Sequence, residues 1–153
     1  MSWFSSGSSN AVNKPAILRD IQEQLPAIVQ LNSQRANWPG RPTGVYGEAA
    51  ADQEQGATDF GILVLWETEG RVIAISTTNN SFWTGSWQSG RIEATYINQG
   101  GVKGALSLQL AADGSHVAGV WRAQSDTGSY KAFRTAGFDR ETVMQKLEGI
   151  PVR

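Results

Sequence analysis

The sequence predicts a mainly β protein, in which an antiparallel meander of about seven or eight strands closes into a small barrel. It also predicts an amphipathic helix before the meander and a short helix after it. Three observations predict this fold. Apolar residues recur at three- and four-residue spacing in the first part of the chain, they alternate with other residues from residue 58 onward, and short turn signals separate the alternating runs.

The overall composition favours a single globular domain of ordinary type. The 153 residues fit one domain, which we place at 13–153 after a flexible tail rich in Ser and Gly at 1–12. A balance of 13 basic and 14 acidic residues predicts no nucleic-acid partner, because such partners need clustered positive charge. The absence of cysteine excludes disulfides and thiolate sites.

The chain also lacks the sequence signals of a membrane or secreted protein. No apolar run approaches the length of about 20 residues that a membrane helix needs. The first ten residues, MSWFSSGSSN, lack the basic and apolar regions of a secretory signal. We therefore expect no membrane association and a cytoplasmic location.

The segment 13–36 is predicted to be helical. Asn13 is a candidate N-cap and Pro15 lies in the first turn, where proline is tolerated. Pro26 interrupts the pattern and predicts a kink or a division into two short helices. One apolar stripe runs along this segment and must be buried against the β region. The stripe comprises Ile17, Leu18, Ile21, Leu25, Ile28 and Val29.

The meander is predicted over 58–135. The dipeptides Glu69-Gly70, Asn79-Asn80 and Ser89-Gly90 separate its first runs. The segment 44–49 supplies an eighth strand if it is extended, whereas 47–57 as a whole has the composition of a loop. A meander has two exposed edges unless it closes. The alternatives to a barrel are a two-sheet sandwich and a curved open sheet around the first helix.

Glycines inside the predicted strands favour the barrel. They lie at positions 61, 85, 104 and 119. Glycine weakens a strand, so its presence indicates a sharp bend or a large ring that passes over the backbone. The last element is a helix over 139–148 with Asp139 as its N-cap.

The tryptophans allow two interpretations. They fill the core and the surface under the first helix, or they line a cavity that holds a small apolar or planar ligand. The candidate ligand-binding residues are Trp66, Trp83, Trp87, Tyr96 and Trp121. Trp3 and Phe4 in the tail either fold back onto the domain or contact a partner.

Known catalytic and metal-binding patterns are not apparent, and the sequence predicts no catalytic residue, metal or cofactor. His116 is the one histidine, and the nearby Asp113 lies in a turn that favours aspartate. The segment GGVKG at 100–104 precedes a strand rather than a helix, so it is a turn and not a phosphate loop. Glu93 is the one acidic residue predicted well inside a strand, and its face, which it shares with Arg91, is expected to be solvated.

Three functions remain in competition. The first is a non-enzymatic structural or assembly domain that contacts copies of itself or another protein. The second is a barrel that binds a small hydrophobic ligand in a Trp-lined cavity. The third is a barrel enzyme that holds an apolar substrate in a reactive conformation with few ionisable groups.

Overall fold

The structure is a computed structural model that describes residues 12–51 and 58–152, without the side chains of 49–51 and 58–60. Its two helices and eight strands follow one another along the chain. They are α1 (Lys14–Asn32), β1 (Gly44–Ala51), β2 (Thr58–Thr68), β3 (Arg71–Ser76), β4 (Ser81–Gln88), β5 (Arg91–Ile97), β6 (Lys103–Leu110), β7 (His116–Ala123), β8 (Asp126–Arg134) and α2 (Arg140–Glu148). A single 3₁₀ turn, Arg35–Asn37, follows α1.

The eight strands form a closed barrel. Each strand pairs antiparallel with the next, and β8 pairs back onto β1, where Tyr46 lies opposite Arg134 and Glu48 opposite Ala132. The predicted fold class is therefore confirmed, and neither the sandwich nor the open sheet is formed. Because the barrel is closed, it has no free strand edge.

The prediction of a loop at 47–57 is wrong over 47–51. These residues belong to β1, which pairs with β2 along its whole length and also with β8. Their small and acidic composition has low β propensity. Pairing on both sides overrides that propensity, because strand preference depends mainly on the neighbouring strands. Residues 52–57 lie outside the described residues.

The first helix is continuous rather than divided at Pro26. Asn13 caps it as predicted, since its side chain accepts the N–H of Ala16 at 3.1 Å. Pro26 lies on the exposed side, and the buried stripe continues past it through Leu25 and Ile28. Burial of this stripe therefore outweighs the hydrogen bond that the proline removes.

The protein has two apolar cores, one on each side of the barrel wall. In the outer core, α1 and α2 pack against β1–β4 through side chains such as Ile21, Leu25, Val64, Phe82 and Leu147. Alternation along a strand places the next residues on the opposite face, inside the barrel. The two cores explain why β2 is apolar on both faces.

Two of the predicted hairpin turns have the geometry that tight hairpins require. Glu69 and Gly70 have φ of 52° and 80°, and Ser89 and Gly90 have φ of 54° and 82°. Consecutive positive φ values match the right-handed twist of the flanking strands. The second helix begins as predicted, because Asp139 accepts the N–H of Thr142 at 2.8 Å.

Candidate functional site

The two ends of the barrel differ in their side chains. The turns at 69–70, 89–90 and 111–115 lie at one end, which we call the Arg134 end. The turns at 77–80 and 98–102 lie at the other, which we call the Glu48 end. Because the strands form a meander, each inward side chain can be assigned to an end from its position along its strand.

A buried arginine lies at the Arg134 end. The Arg134 guanidinium donates hydrogen bonds to the carbonyl oxygens of Thr43 (2.6 Å), Arg41 (2.7 Å), Gly114 (3.1 Å) and Trp38 (3.3 Å). Its charged carbon lies 5.3 Å from the ring centroid of Trp38. Burial lowers the pKa of Arg134 from its usual value. These backbone contacts hold the 38–43 segment against β8 and the turn between β6 and β7, and they support a structural role for this end.

The Glu48 end holds a buried carboxylate that three hydroxyl groups surround. Ser76 Oγ lies 2.8 Å from both carboxylate oxygens, and Thr78 Oγ1 donates to Oε1 at 2.9 Å. The Tyr130 hydroxyl donates a short hydrogen bond to Oε2. Glu48 is only 3% exposed. A glutamate thus lies inside an otherwise largely apolar barrel with neutral hydrogen-bond donors.

Burial raises the pKa of Glu48, and the hydrogen bonds from Tyr130, Ser76 and Thr78 oppose this shift without cancelling it. Burial, together with the nearby Glu48, also raises the pKa of Tyr130 well above its usual value. The phenol therefore remains protonated near neutral pH and acts as a donor to the carboxylate.

We expect Glu48 to make the protein less stable as the pH rises. The folded state retains the proton above the usual glutamate pKa of 4.5, whereas the unfolded state loses it. This contribution to the free energy of unfolding is complete below 4.5 and is lost as the pH passes the folded-state pKa. Urea unfolding across the pH range is expected to show that Glu48→Gln gains stability relative to wild type as the pH rises.

Glu93→Gln is the matched control, because Glu93 is an exposed carboxylate on the outer face of β5. The substitution of Glu48 also changes hydrogen bonds, but this changes the free energy of unfolding by the same amount at every pH. If the stability of Glu48→Gln changed with pH in the same way as that of wild type, the raised pKa of Glu48 in the folded state would be contradicted.

Three of the predicted ligand-binding residues meet at the Glu48 end, on the inward face. Trp83 and Tyr96 are direct partners across β4 and β5, and Trp121 lies near the end of β7. Trp83 contacts Tyr130 edge to face, with ring centroids 5.5 Å apart. The Trp83–Tyr130 contact spans the barrel from β4 to β8, so it forms a floor below this end.

Two of these rings pass close over glycines of a neighbouring strand. The Tyr96 ring covers Gly104, and the Trp121 indole covers Gly128, each glycine being the cross-strand partner of its ring. A Cβ atom at either glycine would collide with the ring. The predicted passage of a large ring over a strand glycine is thus found at Gly104, while Gly128 was not singled out by the sequence.

The other two predicted residues lie elsewhere. Trp87 points inward but lies near the end of β4 that belongs to the Arg134 end. Trp66 lies on the outer face, where it packs against the outer core and lines a surface pocket of about 240 Å³ with Asp20, Gln24 and Arg71. The five candidate residues therefore do not all lie on one face and at one end of the barrel. The ligand-binding role of each residue stays a prediction.

Other candidates from the sequence have structural or undescribed positions. Glu93 is exposed and pairs with Arg91 at 3.3 Å, as expected for a solvated face. Asp113 accepts the N–H of Ser115 at 2.9 Å within its own turn, and His116 begins β7. The candidate partner-binding residues Trp3 and Phe4 lie outside the described residues.

Sequence reasoning missed Glu48 and Tyr130. Glu48 lies in the segment whose composition predicts a loop, and the prediction that Glu93 is the one acidic residue well inside a strand is wrong, because Glu48 lies inside β1. The available signal was the alternation of Tyr46 and Glu48 with Val45 and Gly47, which places the first two on one face. The hydroxyl-rich sequence Ser76-Thr77-Thr78 was a second signal.

Within the described part of the chain, no three acidic or histidine side chains lie close enough together to hold a metal ion. Neither α1 nor α2 combines the length and apolar character of a helix that crosses a membrane. Comparison with protein-family models, curated proteins and solved structures finds no match to this chain.

Proposed function

We propose that this protein binds a planar, aromatic small molecule at the Glu48 end of its barrel. One observation carries the proposal: of the three inward aromatic rings that are only half-buried, Trp121 and Tyr130 lie at the Glu48 end, while the third, Trp87, lies at the other end. Inward side chains of a filled barrel are shielded from solvent by the wall and by each other. Partial exposure of inward rings indicates that a molecule can approach them from this end.

The arrangement of the rings suits a flat ligand. Trp121 and Tyr96 each lie over a glycine of the barrel wall, so the ring surface turned away from that glycine is directed toward the barrel axis. Aromatic rings stack in offset arrangements on such faces. An eight-stranded barrel has room for its own side chains or for one small ligand. The Trp83–Tyr130 floor limits how deeply a ligand penetrates.

We expect naphthalene, quinoline or coumarin to bind, as measured by saturation-transfer NMR and by competition among the three. Trp121→Leu is expected to weaken binding about two- to twelvefold, which corresponds to the ~0.5–1.5 kcal/mol of an aromatic pair. Trp66→Leu is the matched control, since Trp66 is also half-buried but lies on the outer face. Absence of binding by all three probes, or an equal loss in both variants, would contradict the proposal.

The other expectations remain predictions. Assembly with copies of the chain or with another protein depends on Trp3 and Phe4, which lie outside the described residues. Light scattering on the full chain and on a chain without residues 1–12 tests this function. Shape-based catalysis and a cytoplasmic location likewise rest on the sequence alone.

A further inference from the structure

The surface pocket beside Trp66 lies outside the barrel wall, between α1 and the hairpin of β2 and β3, and we call it the Trp66 pocket. Its volume is about 240 Å³. Trp66 and Ile73, which are direct partners across the two strands, give it an apolar surface. Both side chains pack against the outer core and are nevertheless only half-buried, so part of this apolar surface remains accessible from the pocket.

Two opposite charges line the same pocket. Asp20 belongs to α1, whereas Arg71 is the first residue of β3. Both residues are exposed, so a molecule in solvent can reach them. Within the described part of the chain the ion pairs are Arg19–Asp20 and Arg91–Glu93. Asp20 and Arg71 therefore face one pocket without forming an ion pair with each other.

The polar groups of the Trp66 pocket keep their hydrogen-bonding capacity. The contact of Asp20 with Arg19 is 3.9 Å long, which exceeds the length of a hydrogen bond. Among the described residues, none forms a hydrogen bond with the side chain of Arg71 or of the half-buried Gln24. A carboxylate has about four acceptor positions, and a guanidinium has five N–H donors. The helix side of the pocket thus offers acceptors and the strand side offers donors.

The two charges select against a ligand that carries only one charge. An anion beside Arg71 is repelled by Asp20 in the same pocket, and a cation beside Asp20 is repelled by Arg71. A zwitterion in the right orientation is attracted by both residues. The volume limits its size, because a cavity of about 150 Å³ is enough for benzene. The 240 Å³ of the pocket therefore leave room for such a group together with an ammonium and a carboxylate.

From this arrangement we infer that the Trp66 pocket binds a free amino acid with an apolar side chain. The ammonium group donates to Asp20, the carboxylate accepts from Arg71, and the apolar side chain packs on Trp66 and Ile73. The inference goes beyond the proposed function, because this pocket lies on the other side of the barrel wall from the rings of the Glu48 end. Uncharged aromatic probes engage neither charge, so Trp66→Leu remains a control for the Glu48 end.

Three probes with the same ring test the inference: phenylalanine, phenethylamine and 3-phenylpropionate. Phenethylamine lacks the carboxylate of phenylalanine, and 3-phenylpropionate lacks its ammonium group. NMR titrations at neutral pH follow the indole N–H resonance of Trp66, which is identified by its absence in Trp66→Leu. Wild type is expected to bind phenylalanine about two- to fivefold more tightly than either singly charged probe, as for one exposed ion pair.

Substitution of each charge is expected to remove one preference. Asp20→Asn abolishes the preference for phenylalanine over 3-phenylpropionate, and Arg71→Gln abolishes the preference over phenethylamine. Glu23→Gln and Arg91→Gln are the matched controls, because both residues are exposed and neither lines the pocket. The two controls are expected to retain both preferences. All four substitutions change exposed side chains, so the variants are expected to fold.

The outcomes separate this inference from the proposed function. Equal affinity for the three probes, or a preference that persists in the variant expected to lose it, overturns the inference. The same conclusion follows if no probe shifts the Trp66 resonance, or if phenylalanine shifts only other indole resonances. Trp121→Leu is expected to leave the titration at Trp66 unchanged. Failure at the Trp66 pocket therefore leaves the Glu48 end untouched as a site for uncharged aromatics.

Discussion

Arg134→Met is expected to lower the free energy of unfolding by about 3–6 kcal/mol. The side chain is 7% exposed and donates to four backbone carbonyls. Methionine fills a similar volume but leaves these carbonyls without their donor. Each hydrogen bond to a charged group contributes about 1.5–3 kcal/mol, and water replaces only part of the set. Urea unfolding followed by circular dichroism measures the loss.

Arg122→Met is the matched control, because Arg122 is exposed on the outer face of β7. We expect its effect to lie within about 0.5 kcal/mol of zero. Arg134→Lys is expected to be intermediate, since one ammonium group has three donors and a smaller reach than the guanidinium fork. A loss below about 1 kcal/mol in Arg134→Met would show that the arginine does not hold this end together.

Trp83→Ala is expected to lower the free energy of unfolding by about 3–5 kcal/mol, as is typical of a buried tryptophan. The indole is 2% exposed, contacts Tyr130 edge to face and donates from Nε1 to Ser81 Oγ at 3.2 Å. Its removal leaves a cavity in the middle of the barrel that neighbouring side chains fill only in part. Thermal and urea unfolding give the change in stability.

The companion variant is Trp121→Ala, in which an inward but half-buried indole is removed. Trp121→Ala is expected to lower the free energy of unfolding clearly less than Trp83→Ala does. Relative to this smaller loss of stability, its loss of affinity for aromatic ligands is expected to be large. Equal destabilisation by the two substitutions would mean that Trp121 is a core residue like Trp83. That result would also weaken the argument for a site at the Glu48 end.

Local patterns predicted most of the fold. Helix caps at Asn13 and Asp139 and hairpin turns at Glu69-Gly70 and Ser89-Gly90 depend on neighbouring residues, so their signals are contained in short stretches of sequence. Closure of the barrel was expected from a general property of meanders, the instability of exposed edges. These features required no knowledge of distant contacts.

The features that failed depend on distant parts of the chain. Residues 47–51 form a strand rather than a loop because β2 and, for part of the segment, β8 pair with them, and α1 is not divided at Pro26 because the barrel buries its stripe. Trp66 and Trp83 both lie in alternating strands. Which of them faces inward depends on the side of the sheet that the helices cover. The cluster around Glu48 joins residues from β1, the end of β3 and β8, so no single stretch of sequence contains it.

The seam between β1 and β8 has a kinetic consequence. Seven of the eight strand pairs join neighbours along the chain, whereas this pair brings Glu48 next to Ala132. Bringing β8 next to β1 closes a long loop, and this costs conformational entropy before the contacts of the seam form. The seam is therefore expected to form late during folding. Arg134 lies at that seam and bonds to the segment just before β1. Because the hydrogen bonds of Arg134 form with the late seam, they are expected to slow unfolding more than they speed folding.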